Sequence, residues 1–411
     1  MFLYFNFKNL LVQINPELSE RNQLLMARFH RQELGSNLAR SGSEMQEQID
    51  VKEKHLRNYL DTLFKDPLGD FAAQAIIREE PISEADLERD YLQPIRFLVT
   101  PGNLTPERYA EFHGFFEKIY RNCQTGVFTK EHMRKIIEAY GPAYRESDDP
   151  AEATITAMVF WWKLGYPGDY RVLSRLQDKI LSSPNSDLDR YTLNCECAQS
   201  VPSRTNLISN RGVARIMSFA TSNSKPPRKL KCLDFAGGAG AIPEAIGKAV
   251  ASQGLPIDDL AEILSVEQEE AANKLAQEKC KIWQASFTAR TQKIGKFLVE
   301  LPRSGQKFDF IIAAGIFDYF SDQQFTATLK RLYAALEEDG TIMLGNYKKG
   351  HQNQYSMAIF NWFLNYRSAA DLQDLIIEQA GIPIKEVHIT LDEHQSQFII
   401  DITRRTSKKV S

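Results

Sequence analysis

The sequence is short of cysteine. Five thiols occur in 411 residues, at Cys123, Cys195, Cys197, Cys232 and Cys280, and only Cys195 and Cys197 stand close together. That C-x-C has no second pair to complete a zinc site. The odd count and irregular spacing predict reduced thiols, a cytoplasmic protein and no bound metal. Charge of either sign is not in excess: 50 Lys and Arg against 53 Asp and Glu give a formal net charge of -3. No basic field argues for nucleic acid, and the locally basic tail "RRTSKKV" reads as a solvated end. No run approaches the roughly 20 apolar residues that span a membrane. The apolar opening "MFLYFNFKNLLVQI" is broken by Asn6, Lys8 and Asn9 and lacks a basic n-region and a small-residue cleavage site, so no signal peptide is expected. Neither an internal repeat nor a low-complexity block is present. No Ser-His-Asp or paired-carboxylate arrangement is evident.

What is present suffices for a large core. Hydrophobic residues make up 43%, and the length allows two or three domains. Residues 17–190 read as mostly helical. "EMQEQIDVKEKHLRNYLDTLF", "RYAEFHGFFEKIYRNC" and "EHMRKIIEAY" space their apolar residues at helical intervals. "EATITAMVFWWKLG" predicts a more buried helix closed by Gly165. Turn chemistry separates these pieces at "FKDPLGD", "EEPISEAD", "VTPGNLTPE" and "ESDDPAE". The texture changes at "SNSKPPRK", residues 222–229, which suits a linker. Beyond it, "LKCLDFA", "AEILSVE", "KFDFIIAAG" and "GTIMLGNY" read as strands alternating with helices. This predicts a Rossmann-like α/β domain, a parallel sheet covered on both faces. "KEVHITLDEHQSQFIIDITR" reads instead as two strands joined by a short polar turn, hence an antiparallel pair. The expected organisation is a helical N-terminal domain at 1–200, a connecting segment at 201–228 and an α/β domain at 229–405.

The stretch "LDFAGGAGAIPEAI" narrows the ligand. In an open parallel sheet, ligands sit beyond the carboxyl ends of the strands. Gly237, Gly238 and Gly240 permit positive φ and close backbone approach there. Pro243 suits the first turn of the following helix, whose free N–H groups favour a negative group. A nicotinamide site asks for G-x-G-x-x-G, but its third position here is Pro243. A P-loop fails because Gly247-Lys248 is followed by Ala249. An S-adenosylmethionine loop runs acid-x-Gly-x-Gly-x-Gly; Asp234 to Gly240 match it except at Ala236. The bland reading is a tight strand-to-helix turn. "AEILSVE" ends in Glu267, whose carboxylate could accept both ribose hydroxyls of an adenosine or serve as an acid at a helix start.

Several further segments occur in the same order in one family: "GYPGDY", "SNR", "FDFIIAAGIFDYFSD", "GTIMLGNY" and "NWFLNYRSAADL". With the loop and Glu267, the second half resembles class I S-adenosylmethionine-dependent methyltransferases, and residues 100–403 resemble the bacterial synthases of the extracellular-factor signal, 3-hydroxypalmitic acid methyl ester. The resemblance implies methyl transfer from S-adenosylmethionine to the carboxylate of a hydroxy fatty acid. It also implies a seven-stranded sheet with a reversed last strand. The cofactor contacts expected are Asp234, Ala236, Gly237, Gly238, Gly240 and Glu267, with Gln268, Ser286, Ala314, Gly315 and Arg211 beside them.

A carboxylate acceptor is already ionised and needs no base; a phenol or alcohol needs one. His351, in the polar loop "NYKKGHQNQ", is the candidate base for the second case, or else simply faces solvent. "GIFDYF" replaces the Asn-Pro-Pro-Tyr of amino-methylating enzymes, so Asp318 and Tyr319 are expected to border the reacting methyl. An acidic substrate needs a cation, and Arg367 and Arg211 are candidates, each alternatively a surface ion pair. Tyr166, Asp169, Tyr170 and Tyr366 complete the expected substrate set, with Asp169 equally readable as a helix cap and Tyr366 readable as core, since "IFNWFLNY" repeats aromatics at helical spacing. The function expected is O-methylation of a small acidic or lipid-like molecule. Alternatives are a natural-product hydroxyl methyltransferase, whose helical N-terminal domain would form a homodimer, and a cofactor-binding interaction or effector protein without turnover.

Overall fold

The computed structural model describes residues 42–65, 79–99, 104–141, 143–145, 153–179, 187–221 and 228–405. The basic tail, the apolar opening and most of the segment 222–229 lie outside them. Two compact units are present, Met1–Asn58 and Tyr59–Ser411. In the first, residues 42–58 belong to the helix Gly42–Leu63. Everything described below lies in the second.

Its helices begin where the sequence offers a cap. Thr105, Thr129, Thr154 and Asp169 each accept backbone N–H groups of the first turn from a side-chain oxygen, which satisfies donors the helix leaves open. The buried helix Ile155–Trp161 is closed by Trp162 in the left-handed conformation, three residues before Gly165. Residues 201–221, expected as a connecting segment, form most of the helix Glu196–Thr221. Its Ile208 and Ile216 enter the core of the sheet, so the helical half and the sheet share one unit.

The sheet has seven strands: β1 Leu230–Phe235, β2 Ala261–Glu267, β3 Phe287–Thr291, β4 Phe308–Ala313, β5 Leu336–Tyr347, β6 Val387–Leu391 and β7 Gln397–Thr403. Their order is β3-β2-β1-β4-β5-β7-β6. β1 pairs in parallel with β2 and β4, and β7 runs antiparallel to both β5 and β6. Alternate residues feed two cores, as a pleated strand requires. Leu233, Ile311, Leu344 and Ile400 face one; Cys232, Phe310, Met343 and Ile399 face the other. The strand pattern of β3 is masked in the sequence because "FTART" is an edge strand with little burial. All five cysteines are free and buried. Among the described residues no helix is long and apolar enough to cross a membrane, and no group of three or more His, Cys, Asp or Glu could hold a metal ion.

Candidate functional site

The turn after β1 uses conformations that few residues accept. Ala236, Gly238 and Gly240 hold φ of 56°, 55° and 75°. Glycine occupies this left-handed region freely, whereas the Cβ of Ala236 strains it. Gly237 meets a different limit. A Cβ there would lie 2.1 Å from Asp234 Oδ2 and 2.4 Å from Ser265 Oγ. Gly240 then opens the helix Ala241–Ala251, with Pro243 in its first turn.

Two acids frame this turn. Asp234 is buried and accepts a hydrogen bond from Ser265 Oγ at 3.0 Å. Burial and the nearby Glu267 charge push its carboxyl up to about 7, against the lowering effect of Ser265. Glu267 Oε2 accepts from the Gly238 amide at 3.0 Å, while Oε1 accepts from the amides of Gln268 and Glu269 at 2.6 and 3.0 Å. A carboxylate has about four acceptor positions. Three are filled, so Glu267 retains one, on Oε2, rather than the two that gripping both ribose hydroxyls would use.

The raised pKa of Asp234 has a testable sign. Between its ordinary 3.8 and about 7 the native state binds the proton more tightly than the unfolded chain. The stability of the wild type therefore falls as pH rises through that window. Asp234→Asn removes the titration. From pH 4 to pH 8 the stability difference should move in the variant's favour by about 3 kcal/mol, read by denaturant unfolding at each pH. A pH-independent difference would contradict the assignment.

Tyrosines from the helical part cover the turn. Tyr170 Cβ stands 3.9 Å from where a Gly238 Cβ would be. The Tyr166 hydroxyl meets the Gln268 side chain, and burial together with the charges of Glu267 and Glu269 raises its pKa. Tyr166 thus stands at the end of β2, with the residues expected to hold a cofactor. Asp169 caps the helix Tyr170–Asp178 and pairs with Arg171 at 2.5 Å, so its carboxylate is spent on structure. The segment is pinned from below. Tyr319 Oη donates to Pro167 O at 2.8 Å and accepts from Trp362 Nε1 at 3.2 Å. Gly168 lies so close that a Cβ would come within 2.4 Å of the Trp362 ring.

At the ends of β4 and β5, Ala314 and Gly315 lead into the turn Phe317–Tyr319. Asp318 Oδ1 accepts from the Tyr347 amide at 2.5 Å. Burial raises its pKa to about 6, partly offset by that amide and by Arg204 and Arg367. His351 is buried rather than solvent-facing. Its ring lies 5.6 Å from that of Tyr347 and 5.3 Å from that of Tyr366. Both ring nitrogens lack a hydrogen-bond partner among the described residues, and burial foremost drives its pKa down to about 3. The Tyr366 hydroxyl points at Met357 Sδ. Cys197 is held protonated by its hydrogen bond with Cys195 and by burial.

Besides Asp169, three expected residues fall elsewhere or are occupied. Ser286 precedes β3, which runs parallel to β2, so it sits at the amino edge of the sheet, bonded to Asp258 O and Lys229. Arg211 is half exposed and pairs with Asp401 at 2.8 Å, about 10 Å along its helix from Arg204. Arg367 is buried, and its guanidinium donates to Asp322 Oδ1, Asn346 Oδ1 and the carbonyls of Phe317 and Phe320. A second buried cation at the carboxyl edge, Arg204, beside Gly315 and Gly345, was missed by sequence reasoning. Its signal was an arginine between Val201 and Ile208, at the spacing of a buried helix face.

No protein-family model matches the chain, and no curated relative does. Solved structures resemble it at low identity. Magnesium protoporphyrin IX methyltransferase from Synechocystis PCC 6803, solved with S-adenosylhomocysteine, is 17% identical over 50% of this chain and 86% of that one, with a TM-score of 0.37. The CurJ carbon methyltransferase is 14% identical over 91% and 98%, with a TM-score of 0.40. A protein from Bordetella parapertussis described as a possible exported protein is 11% identical over 74% and 100%, with a TM-score of 0.47. The strand order with its single reversed strand decides the fold. It is the class I methyltransferase fold.

Proposed function

We propose that this chain is an S-adenosylmethionine-dependent O-methyltransferase whose acceptor is the carboxylate of a small acidic or lipid-like molecule. The observation that carries the cofactor is the locking of the glycine turn to Glu267. The N–H of Gly238, which in a phosphate-binding loop would face an anion, already donates to a carboxylate. With Asp234 below, the turn is lined by two acids. A pyrophosphate would be repelled there, whereas a cofactor bearing an ammonium, a sulfonium and ribose hydroxyls fits. Glu267 Oε2 would take one ribose hydroxyl, Tyr170 would cover the turn, and Tyr166 with Gln268 would wall the adenosine side. When bound, S-adenosylmethionine supplies a methyl carbon that a carboxylate oxygen can take without losing a proton, the sulfur keeping the electron pair.

The carboxylate reading is supported by what could serve as a base. His351, the base expected for a hydroxyl acceptor, has a pKa of about 3, far from neutral, and the Asp318 carboxyl, at about 6, already accepts from the Tyr347 amide. A general base works best when its pKa is near the working pH. A hydroxyl acceptor would therefore find little help from His351, and a carboxylate needs no base. Calorimetry with S-adenosylhomocysteine tests the cofactor: uptake by the wild type and a loss of about tenfold or more in Glu267→Ala are expected. No uptake by the wild type defeats the proposal. Incubation with methyl-labelled cofactor and carboxylic acids or alcohols then tests the acceptor. Label found only in ethers would overturn the carboxylate, and no product at all would leave a binding protein without turnover.

A further inference from the structure

Arg204 is buried, with only 6% of its surface exposed, yet it has no ion-pair partner among the described residues. Its Nη1 donates to Gln397 Oε1 at 3.3 Å, a long bond to a neutral group. Its Nε is shielded from solvent and has no acceptor. A buried, underpartnered guanidinium is expensive to keep, and the surroundings make room for it. A Cβ at Gly315 would stand 3.1 Å from Nη2, and one at Gly345 would stand 3.0 Å from Cδ. The charge therefore lies over the carboxyl ends of β4 and β5. The acids of the glycine turn lie at the ends of β1 and β2, and β5 is about 10 Å from β1 at two strand spacings.

We infer that Arg204 is the anchor for the acceptor's carboxylate, a reading that rests on the proposed carboxyl methylation and adds the residue that selects for it. A planar guanidinium matches a carboxylate in bidentate fashion. Asp318, whose carboxyl feels the Arg204 charge, is engaged by the Tyr347 amide and forms no ion pair with Arg204 among the described residues. Gln397, at the start of β7, orients the guanidinium. Arg211, further along the same helix, has Asp401 of β7 as its partner. Of Arg204 and Arg211, which both bond to β7 side chains, Arg204 at the carboxyl edge has no carboxylate partner among the described residues.

Thermal unfolding of wild type and Arg204→Met, with and without saturating S-adenosylhomocysteine, tests the inference. In the absence of any acid, Arg204→Met should melt at or above the wild type, because it removes a buried unpaired charge. A midpoint lower by about 5 °C or more would make the guanidinium structural and overturn the proposal. Acetate and octanoate at up to about 50 mM, against matched chloride, should raise the midpoint of the wild type and not of the variant, while octanol raises neither. Equal shifts in both proteins, or none in the wild type, would overturn it. Titration of octanoate should give an affinity about 30-fold weaker in Arg204→Met, with S-adenosylhomocysteine affinity unchanged. If the cofactor product is instead the ligand that loses affinity, Arg204 belongs to the cofactor's own carboxylate and the inference fails. Failure of the wild type to take up S-adenosylhomocysteine would defeat the proposed function, while the cofactor-free melts would still report on Arg204.

Discussion

Gly237→Ala is expected to abolish S-adenosylhomocysteine uptake and to destabilise the protein by about 3 kcal/mol. The added methyl would be placed 2.1 Å from Asp234 Oδ2 and 2.4 Å from Ser265 Oγ. Neither neighbour can withdraw cheaply. Asp234 and Ser265 are paired residues of adjacent buried strands, and their side chains are hydrogen-bonded to each other. The turn cannot lift either, because the Gly237 amide donates to Val266 O and the Gly238 amide to Glu267. Relief must come from breaking the Asp234–Ser265 contact or from pulling the glycines away from Glu267. Both routes damage the surface on which the cofactor would lie. Urea unfolding and calorimetry of the variant check the two halves separately. An unfolding midpoint and an affinity like those of the wild type would mean that the turn is not held as described.

The second large effect concerns stability rather than substrate. Arg367→Met is expected to cost about 3 kcal/mol, because it leaves several buried acceptors without donors while the charge of Asp322 stays in solvent. It strips hydrogen-bond donors from the carbonyls of Phe317 and Phe320 and from Asn346 Oδ1, and it removes the cation lying 4.8 Å from the Phe325 ring centre. These acceptors sit on the turn after β4 and at the end of β5, so the damage spreads to Asp318. Arg367→Lys should recover little, since an ammonium cannot reproduce a planar fork that serves several acceptors. Thermal melts of both variants, with octanoate affinity measured below their midpoints, distinguish this from a binding role. A folded, stable Arg367→Met that merely fails to bind acids would return Arg367 to the acceptor site.

The contrast between these residues explains what could be read from the chain. The glycine turn was legible because its parts are contiguous: acid, small residues and helix start occupy Asp234 to Glu244. Glu267 was legible as the last residue of the next strand. Arg204 was not, because its role depends on how the helix Glu196–Thr221 crosses the sheet, a property of packing between residues about 200 positions apart. Arg211 attracted attention through the segment that carries the resemblance, but a helix advances about 1.5 Å per residue, so seven residues move it off the carboxyl edge. Ser286 failed for a related reason. The 3-10 turn Lys281–Ser286 delays β3 until Phe287, and the residue before a parallel strand belongs to its amino end. His351 looked exposed among polar neighbours, yet the rings of Tyr347 and Tyr366 enclose it. The antiparallel pair β6 and β7 was readable because alternation and a polar turn are local signals, whereas the edge strand β3 carries neither.

If the chain turns over as proposed, the Tyr319 hydroxyl bears on the exchange of cofactor. It joins the Trp362 indole to the Pro167 carbonyl, and the chain immediately after Pro167 carries Tyr170 over Gly238. On the proposed reading, moving Tyr170 aside to admit the cofactor would strain that relay. A phenylalanine at 319 would free the Pro167 carbonyl while keeping the ring, and so would trade a slow latch for a loose one. The speed of exchange, rather than the methyl transfer itself, is where such a change would register.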